Sequence, residues 1–221
     1  MGQSYHSVAS AHRTLLPRAG ILRAMPDRLP TPERLLRREV LADERLLRFR
    51  LDFVADAEGV ERRREVVDHP GGVAVVALTA DRQVLLVRQY RHAVERICLE
   101  IPAGTLDRDE QGNKEDPAVA ARRELAEETG YTASDWRLLA RFFTAPGFAT
   151  EEMHLYLATG LGPAGAGIGP EADERLELLR LPVDEALALV ERGEVEDAKT
   201  LIGLLALARL EATGALDGAA G

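Results

Sequence analysis

The order of elements predicts an α+β fold, an α/β/α sandwich on a mixed sheet preceded by a small antiparallel β annex. Three observations carry this expectation. Residues 73–78 and 84–87 are continuous apolar runs, the pattern of strands covered on both faces. A capped helical segment at residues 117–129 stands between strands. Upstream, residues 46–54 alternate apolar and charged side chains with the period of a half-buried strand.

Taken in order, residues 1–34 hold Pro17, Pro26, Pro30 and Pro32 and show no period, so they read as a poorly ordered tail. In the first 30 residues Arg13, Arg18, Arg23 and Arg28 face one acid, Asp27. This pattern suits either a flexible tail or a transit-like leader, without the apolar run of a signal peptide. Met25 is an alternative start. Residues 35–68 form the annex. Leu47, Phe49, Leu51 and Phe53 are expected to face inward, and Arg48, Arg50 and Asp52 outward. Residues 56–59 make a turn and 61–67 the return strand. A lone hairpin is marginal in water, so the annex needs something to pack on, such as a second subunit.

Pro70-Gly71-Gly72 opens the main domain, residues 69–212. Its strands are 73–78 and 84–87, joined by a turn at Asp81-Arg82, then 98–101, 136–143 and 152–158. Asp116 is the expected N-cap of the 117–129 helix, Pro117 its first residue and Gly130 its terminator. Residues 160–169 are rich in glycine and read as a mobile loop. Residues 183–192 and 197–212 are amphipathic helices, and 213–221 a disordered tail. No repeat appears.

The formal net charge of the 221 residues is -9, which excludes the basic face that nucleic-acid binding needs. One cysteine, Cys98, cannot make an internal disulfide and sits in an apolar run. It reads as a structural thiol in a reducing compartment, the cytoplasm. No stretch approaches the roughly 18 apolar residues of a membrane span.

The chemistry concentrates on the 117–129 helix. Glu124, Glu127 and Glu128 are spaced i, i+3, i+4 and share one face, while Val119, Leu125 and Ala126 lie away from it. Like charges on adjacent turns are tolerated on a solvated surface, or where a hard divalent cation neutralises them. Gly104 follows a strand and permits a sharp turn that exposes a carbonyl as a further ligand.

Gly104, Glu115, Arg123-Glu124-Leu125, Glu127-Glu128 and Gly130-Tyr131 resemble the Nudix box, G-x5-E-x7-R-E-U-x-E-E-x-G-U. Seven residues separate Glu115 from Arg123, as the box requires. Ten separate Gly104 from Glu115, where the box has five, and the surplus falls in the polar stretch 107–114. Arg64-Glu65-Val66-Val67-Asp68-His69-Pro70-Gly71, Arg88-Gln89-Tyr90-Arg91, Leu99-Glu100-Ile101-Pro102-Ala103-Gly104 and Pro146-Gly147-Phe148 extend the resemblance over roughly 35–210. They are similar to the ADP-ribose pyrophosphatase branch of the Nudix hydrolases. Pro146, sixteen residues after Gly130, is a mark of ADP-ribose-directed members.

That resemblance implies metal-dependent hydrolysis of ADP-ribose to AMP and ribose 5-phosphate. Mg²⁺ would be held by Glu124, Glu128 and the carbonyl of Ala103, and Mn²⁺ is an alternative ion. Glu127 would ligate a second metal or its water. Glu115 and Arg123 would support the carboxylates. The acidic loop at 171–177 would supply a metal ligand and general base, first Glu174, then Glu171, with Glu151 and Glu152 as competitors. Arg91 and Glu100 match positions that contact the adenosine-diphosphate part. Pro146, Gly147 and Phe148 border the same substrate, although Phe148 equally suits a core. Arg63 and Arg64 match an arginine pair supplied by the partner subunit of a homodimer that exchanges its annexes. Another substrate such as GDP-mannose is the alternative within the family, and a non-catalytic ADP-ribose sensor the alternative outside catalysis. His69, His92 and His154 lack metal-ligand spacing and receive no role.

Overall fold

The computed structural model describes residues 32–109, 111–165 and 175–216. The expected tail through residue 31, residues 166–169 of the glycine-rich loop, Glu171, Glu174 and the last five residues lie outside them.

The annex is a three-stranded antiparallel sheet of β1 (Arg34–Asp43), β2 (Arg48–Ala55) and β3 (Glu61–Asp68), in the order β1-β2-β3. The second sheet holds β4 (Gly72–Leu78), β5 (Gln83–Arg91), β6 (Arg96–Glu100), β7 (Ala103–Thr105), β8 (Tyr131–Phe143), β9 (Glu152–Pro163) and β10 (Glu177–Pro182). Its path is β10-β5-β4-β9-β8, with β6 on β5 and β7 on β4. β4 and β9 run parallel and the other pairs antiparallel, so the sheet is mixed.

β4 reads as an unbroken apolar run because helices cover both its faces. Val73, Val75 and Ala77 meet Ala120, Ala121 and Leu125 of α1 (Pro117–Thr129). Ala74, Val76 and Leu78 join Val183 and Ala186 of α2 (Val183–Glu191) and Leu204 and Leu207 of α3 (Ala198–Ala212). Each large aliphatic side chain buried here contributes about 1.5–3 kcal/mol. Gly203 lets α3 approach closely, since a Cβ there would stand 2.9 Å from Val76 Cγ2. The α/β/α sandwich with an N-terminal antiparallel sheet is thus as expected.

Four elements differ from the sequence reading. β1, β7 and β10 lack a period strong enough to declare them, and β10 occupies the end of the stretch read as an acidic loop. β9 continues through residues 160–163 of the expected loop, because β8 begins at Tyr131 and gives those residues partners as far as Tyr131↔Pro163.

The annex departs from its expected faces at Phe49, Arg50 and Asp52. Asp52 is 8% exposed and Phe49 43% exposed. Asp52 tolerates burial because Arg38 grips it through Nε at 2.7 Å and Nη2 at 3.0 Å, while Arg50 Nε donates at 3.2 Å and Arg50 also pairs with Asp68. Satisfied charges can take an inside face that period alone assigns to the apolar set. Arg37 lies over the Phe53 ring, 3.3 Å from its centroid.

Candidate active site

α1 is fixed at both ends by its sequence. Asp116 caps the N–H groups of Ala118 and Val119, Pro117 opens the helix, and Gly130 at φ 71° closes it with a bond to Ala126 O. Leu125 enters the core, while Glu124 and Glu128 lie against β7, where the sequence predicts a sharp turn at Gly104. Both glutamates are buried, and the Ala103 N–H donates to Glu128 Oε2 at 2.9 Å. A Cβ at residue 104 would overlap the Glu124 carboxylate, so the glycine leaves that carboxylate its present position.

Arg123 gathers the neighbouring acids. Its Nη2 donates to Glu115 Oε2 at 2.9 Å, and its Nη1 to Glu124 Oε1 at 2.8 Å and Glu127 Oε2 at 3.0 Å. Burial works against the guanidinium charge, but Glu115, Glu124 and Glu127 more than offset it and raise its pKa. At the ends of the surplus stretch, Arg108 and Lys114 form an antiparallel bridge, and Glu115 N donates to Asp107 O at 2.8 Å. Glu115 therefore reaches Arg123 despite the altered spacing.

These groups floor a cleft of about 810 Å³. Arg91 and Lys199 stand on one wall, and His69, Thr144 and Glu151 on another. Arg45 and Leu46 from the β1–β2 turn reach its edge. Glu100 is 1% exposed and takes both Nε and Nη2 of Arg91 at 2.7 Å. Burial would raise its pKa, but Arg91 and Lys199 prevail and hold it below the ordinary carboxylate range.

His69, given no role from sequence, faces the cleft with a fixed tautomer. Its Nδ1 accepts from Gly71 N at 3.0 Å, which leaves the proton on Nε2, 3.5 Å from Glu151 Oε1. The Thr144 hydroxyl donates to the other Glu151 oxygen. Arg45, His69, Asp107, Arg108 and Lys199 all escaped the sequence reading. Only Lys199 carried a local signal, as a cation in the first turn of a helix.

Other expected residues lie apart. Arg63 pairs with Glu65 and Arg64 with Glu33, and neither lines this cleft. Phe148 is 58% exposed, which excludes the core alternative. Its loop is stitched to the annex by Val67 N to Phe148 O at 2.8 Å and Thr150 N to Val67 O at 3.0 Å.

Among the described residues, no three Asp, Glu, His or Cys side chains converge as a finished cation cage. The donors that are present suit Mg²⁺ nevertheless. That ion takes oxygen ligands, commonly one or two carboxylates, and completes its shell with water and substrate phosphates. Glu124 and Glu128, buried on one helix face beside Ala103 and Gly104 of β7, are such a pair.

A family model described as NUDIX domain matches residues 68–204. The Methanol dehydrogenase activator of Bacillus methanolicus is 39% identical over 180 residues, 81% of this chain and 95% of its own length. The ADP-ribose pyrophosphatase of Bacillus subtilis (strain 168) is 41% identical over 163 residues, 72% of this chain and 85% of its own. A solved structure of an ADP compounds hydrolase superposes with a TM-score of 0.72 at 24% identity, covering 85% of this chain and 98% of that one, and speaks for the fold. With the box residues gathered on one helix face and the family model spanning the sandwich, the chain belongs to the NUDIX domain family and is a Nudix hydrolase.

Proposed function

We propose that the protein hydrolyses ADP-ribose to AMP and ribose 5-phosphate, using Mg²⁺ held by Glu124, Glu128 and the Ala103 carbonyl. The observation that carries this reading is the pair of buried glutamates against β7, set in a cleft with Arg91 on its wall. The named substrate of the Bacillus subtilis relative supports ADP-ribose, whereas the name of the Bacillus methanolicus relative names no substrate.

Bound Mg²⁺ would neutralise phosphate oxygens and lower the pKa of water. The chain's own residues do the rest. Arg123 holds Glu115, Glu124 and Glu127 in place against their mutual repulsion. Arg91 presents a planar guanidinium that suits a phosphate oxygen pair. Water adds across one P–O bond of the pyrophosphate, and a carboxylate takes its proton. Glu174, Glu171, Glu127 and Glu151 are the candidates for that base, and the first two lie outside the described residues. Pro146, Gly147 and Phe148 carry the substrate's far end.

The reading includes a homodimer with exchanged annexes. Leu35, Leu41, Phe49 and Val60 of the annex region are exposed in the single chain, and a partner covering them supports that assembly. Arg63 and Arg64 do not line their own cleft and would serve the partner's. The lone thiol Cys98 supports the cytoplasm. Among the described residues, no helix is long and apolar enough to cross a membrane.

The test is chromatographic. The protein is incubated with Mg²⁺ and ADP-ribose, ADP-glucose, GDP-mannose, NADH or dATP, with and without chelator. AMP and ribose 5-phosphate arising fastest from ADP-ribose, and only with the metal, is the expected result. Faster turnover of GDP-mannose moves the substrate. No turnover with tight ADP-ribose binding replaces the enzyme with a sensor.

A further inference from the structure

Lys199 breaks two rules at once. It stands in the first turn of α3, two residues after the N-cap Asp197, where the helix dipole disfavours a cation. Its side chain is 14% exposed, although burial costs a lysine both hydration and rotamer freedom. Local rules broken together mark positions that function, rather than folding, has selected.

Its partners indicate what that function is. Nζ donates to Glu100 Oε2 at 2.5 Å and to Asp197 Oδ1 at 2.8 Å. Asp197 Oδ2 accepts from Thr200 N at 2.9 Å and Thr200 Oγ1 at 2.6 Å, and Thr200 Oγ1 accepts from Ile101 N at 2.8 Å. A continuous chain of bonds therefore joins Arg91, Glu100, Lys199, Asp197 and Thr200 to the backbone just before β7. Arg91 spends Nε and Nη2 on Glu100 and keeps its Nη1 edge for an anion in the cleft. Arg91 and Lys199 together balance Glu100 and Asp197. A neutral residue at 199 would leave this wall with a net negative charge beside an anionic diphosphate.

We propose that Lys199 is a positioning residue for substrate binding: it holds Glu100 in the orientation that presents Arg91 to the diphosphate, and cancels the charge that would repel it. The proposal rests on the diphosphate reading above. It concerns affinity, so a split between KM and kcat tests it. Lys199→Met should raise KM for ADP-ribose about tenfold or more while kcat stays within about threefold. Lys199→Arg, which keeps the charge and the donors, should recover most of the loss. Lys199→Gln provides a second neutral variant if the methionine form fails to fold. A lowered melting temperature with unchanged KM in the neutral variants would overturn the proposal and leave Lys199 a stability residue.

The two readings fail separately. If the wild type turns over no nucleoside diphosphate sugar, ADP binding by calorimetry replaces KM. Weaker ADP binding by Lys199→Met with recovery in Lys199→Arg then supports the positioning role, and equal affinity in all three proteins overturns it.

Discussion

The annex and the cleft each bury carboxylates, and they treat them in opposite ways. In the annex, Asp52 and Asp68 meet Arg38 and Arg50, and both Asp52 oxygens are taken by guanidinium groups. That network closes on itself. In the cleft, Glu115, Glu124 and Glu127 gather on the guanidinium of Arg123, while Glu128 accepts a backbone N–H and lies within electrostatic reach of Arg91. That network crowds carboxylates together and opens onto the cleft. A closed network holds a fold together, whereas carboxylates crowded on one helix face repel one another, a cost that a bound cation offsets.

Mutation should separate the two. The largest effect is expected at Glu128→Gln, with kcat for ADP-ribose falling about a thousandfold or more, the scale of several kcal/mol of lost charge stabilisation. Its melting temperature without metal should hold or rise, because a like charge has been removed. Steady-state kinetics beside a melting curve measures both. A large loss of stability would make the cleft network the same kind as the annex network, and the contrast would break.

Next in size, Asp52→Asn should destabilise the protein by about 1–3 kcal/mol, since it takes the carboxylate from Arg38 and leaves Arg50 with Asp68 alone. Denaturant unfolding reads that loss, and kcat of the folded fraction should persist. A variant as stable as wild type would mean that the annex charges are held elsewhere.

The smallest effect sharpens the boundary between the regions, at His69. Burial pushes its imidazole below the ordinary value, Glu151 opposes that shift, and Lys114 adds to it. The folded pKa is depressed, so the unfolded chain takes up its proton first as pH falls below about 6.5, and stability declines with falling pH in that window. His69→Gln should flatten the dependence of melting temperature on pH there. An unchanged slope would assign the dependence to other groups, His154 among them, since burial depresses its pKa as well.

Much of the site was legible in the chain because it is local. Asp116, Pro117 and Gly130 mark a helix, and the i, i+3, i+4 spacing of Glu124, Glu127 and Glu128 places them on one face whatever surrounds it. The covered strand β4 declared itself by apolar residues at every position. The box pattern from Glu115 onward added Arg123. The sharp turn expected at Gly104 is instead part of strand β7, paired with β4.

What the tertiary structure alone decided is everything that depends on distant residues meeting. Lys199 reaches Glu100, and His69 faces Glu151, across long stretches of chain whose spacing holds no period. The inward turn of Asp52 depends on Arg38 from the neighbouring strand, so alternation along β2 by itself points to the wrong face. β7 and β10 are strands because β4 and β5 lie beside them with hydrogen bonds to share. Sequence fixes helix ends and faces through bonds a few residues apart. Pairing of strands and of charges is settled only when folding brings the partners together.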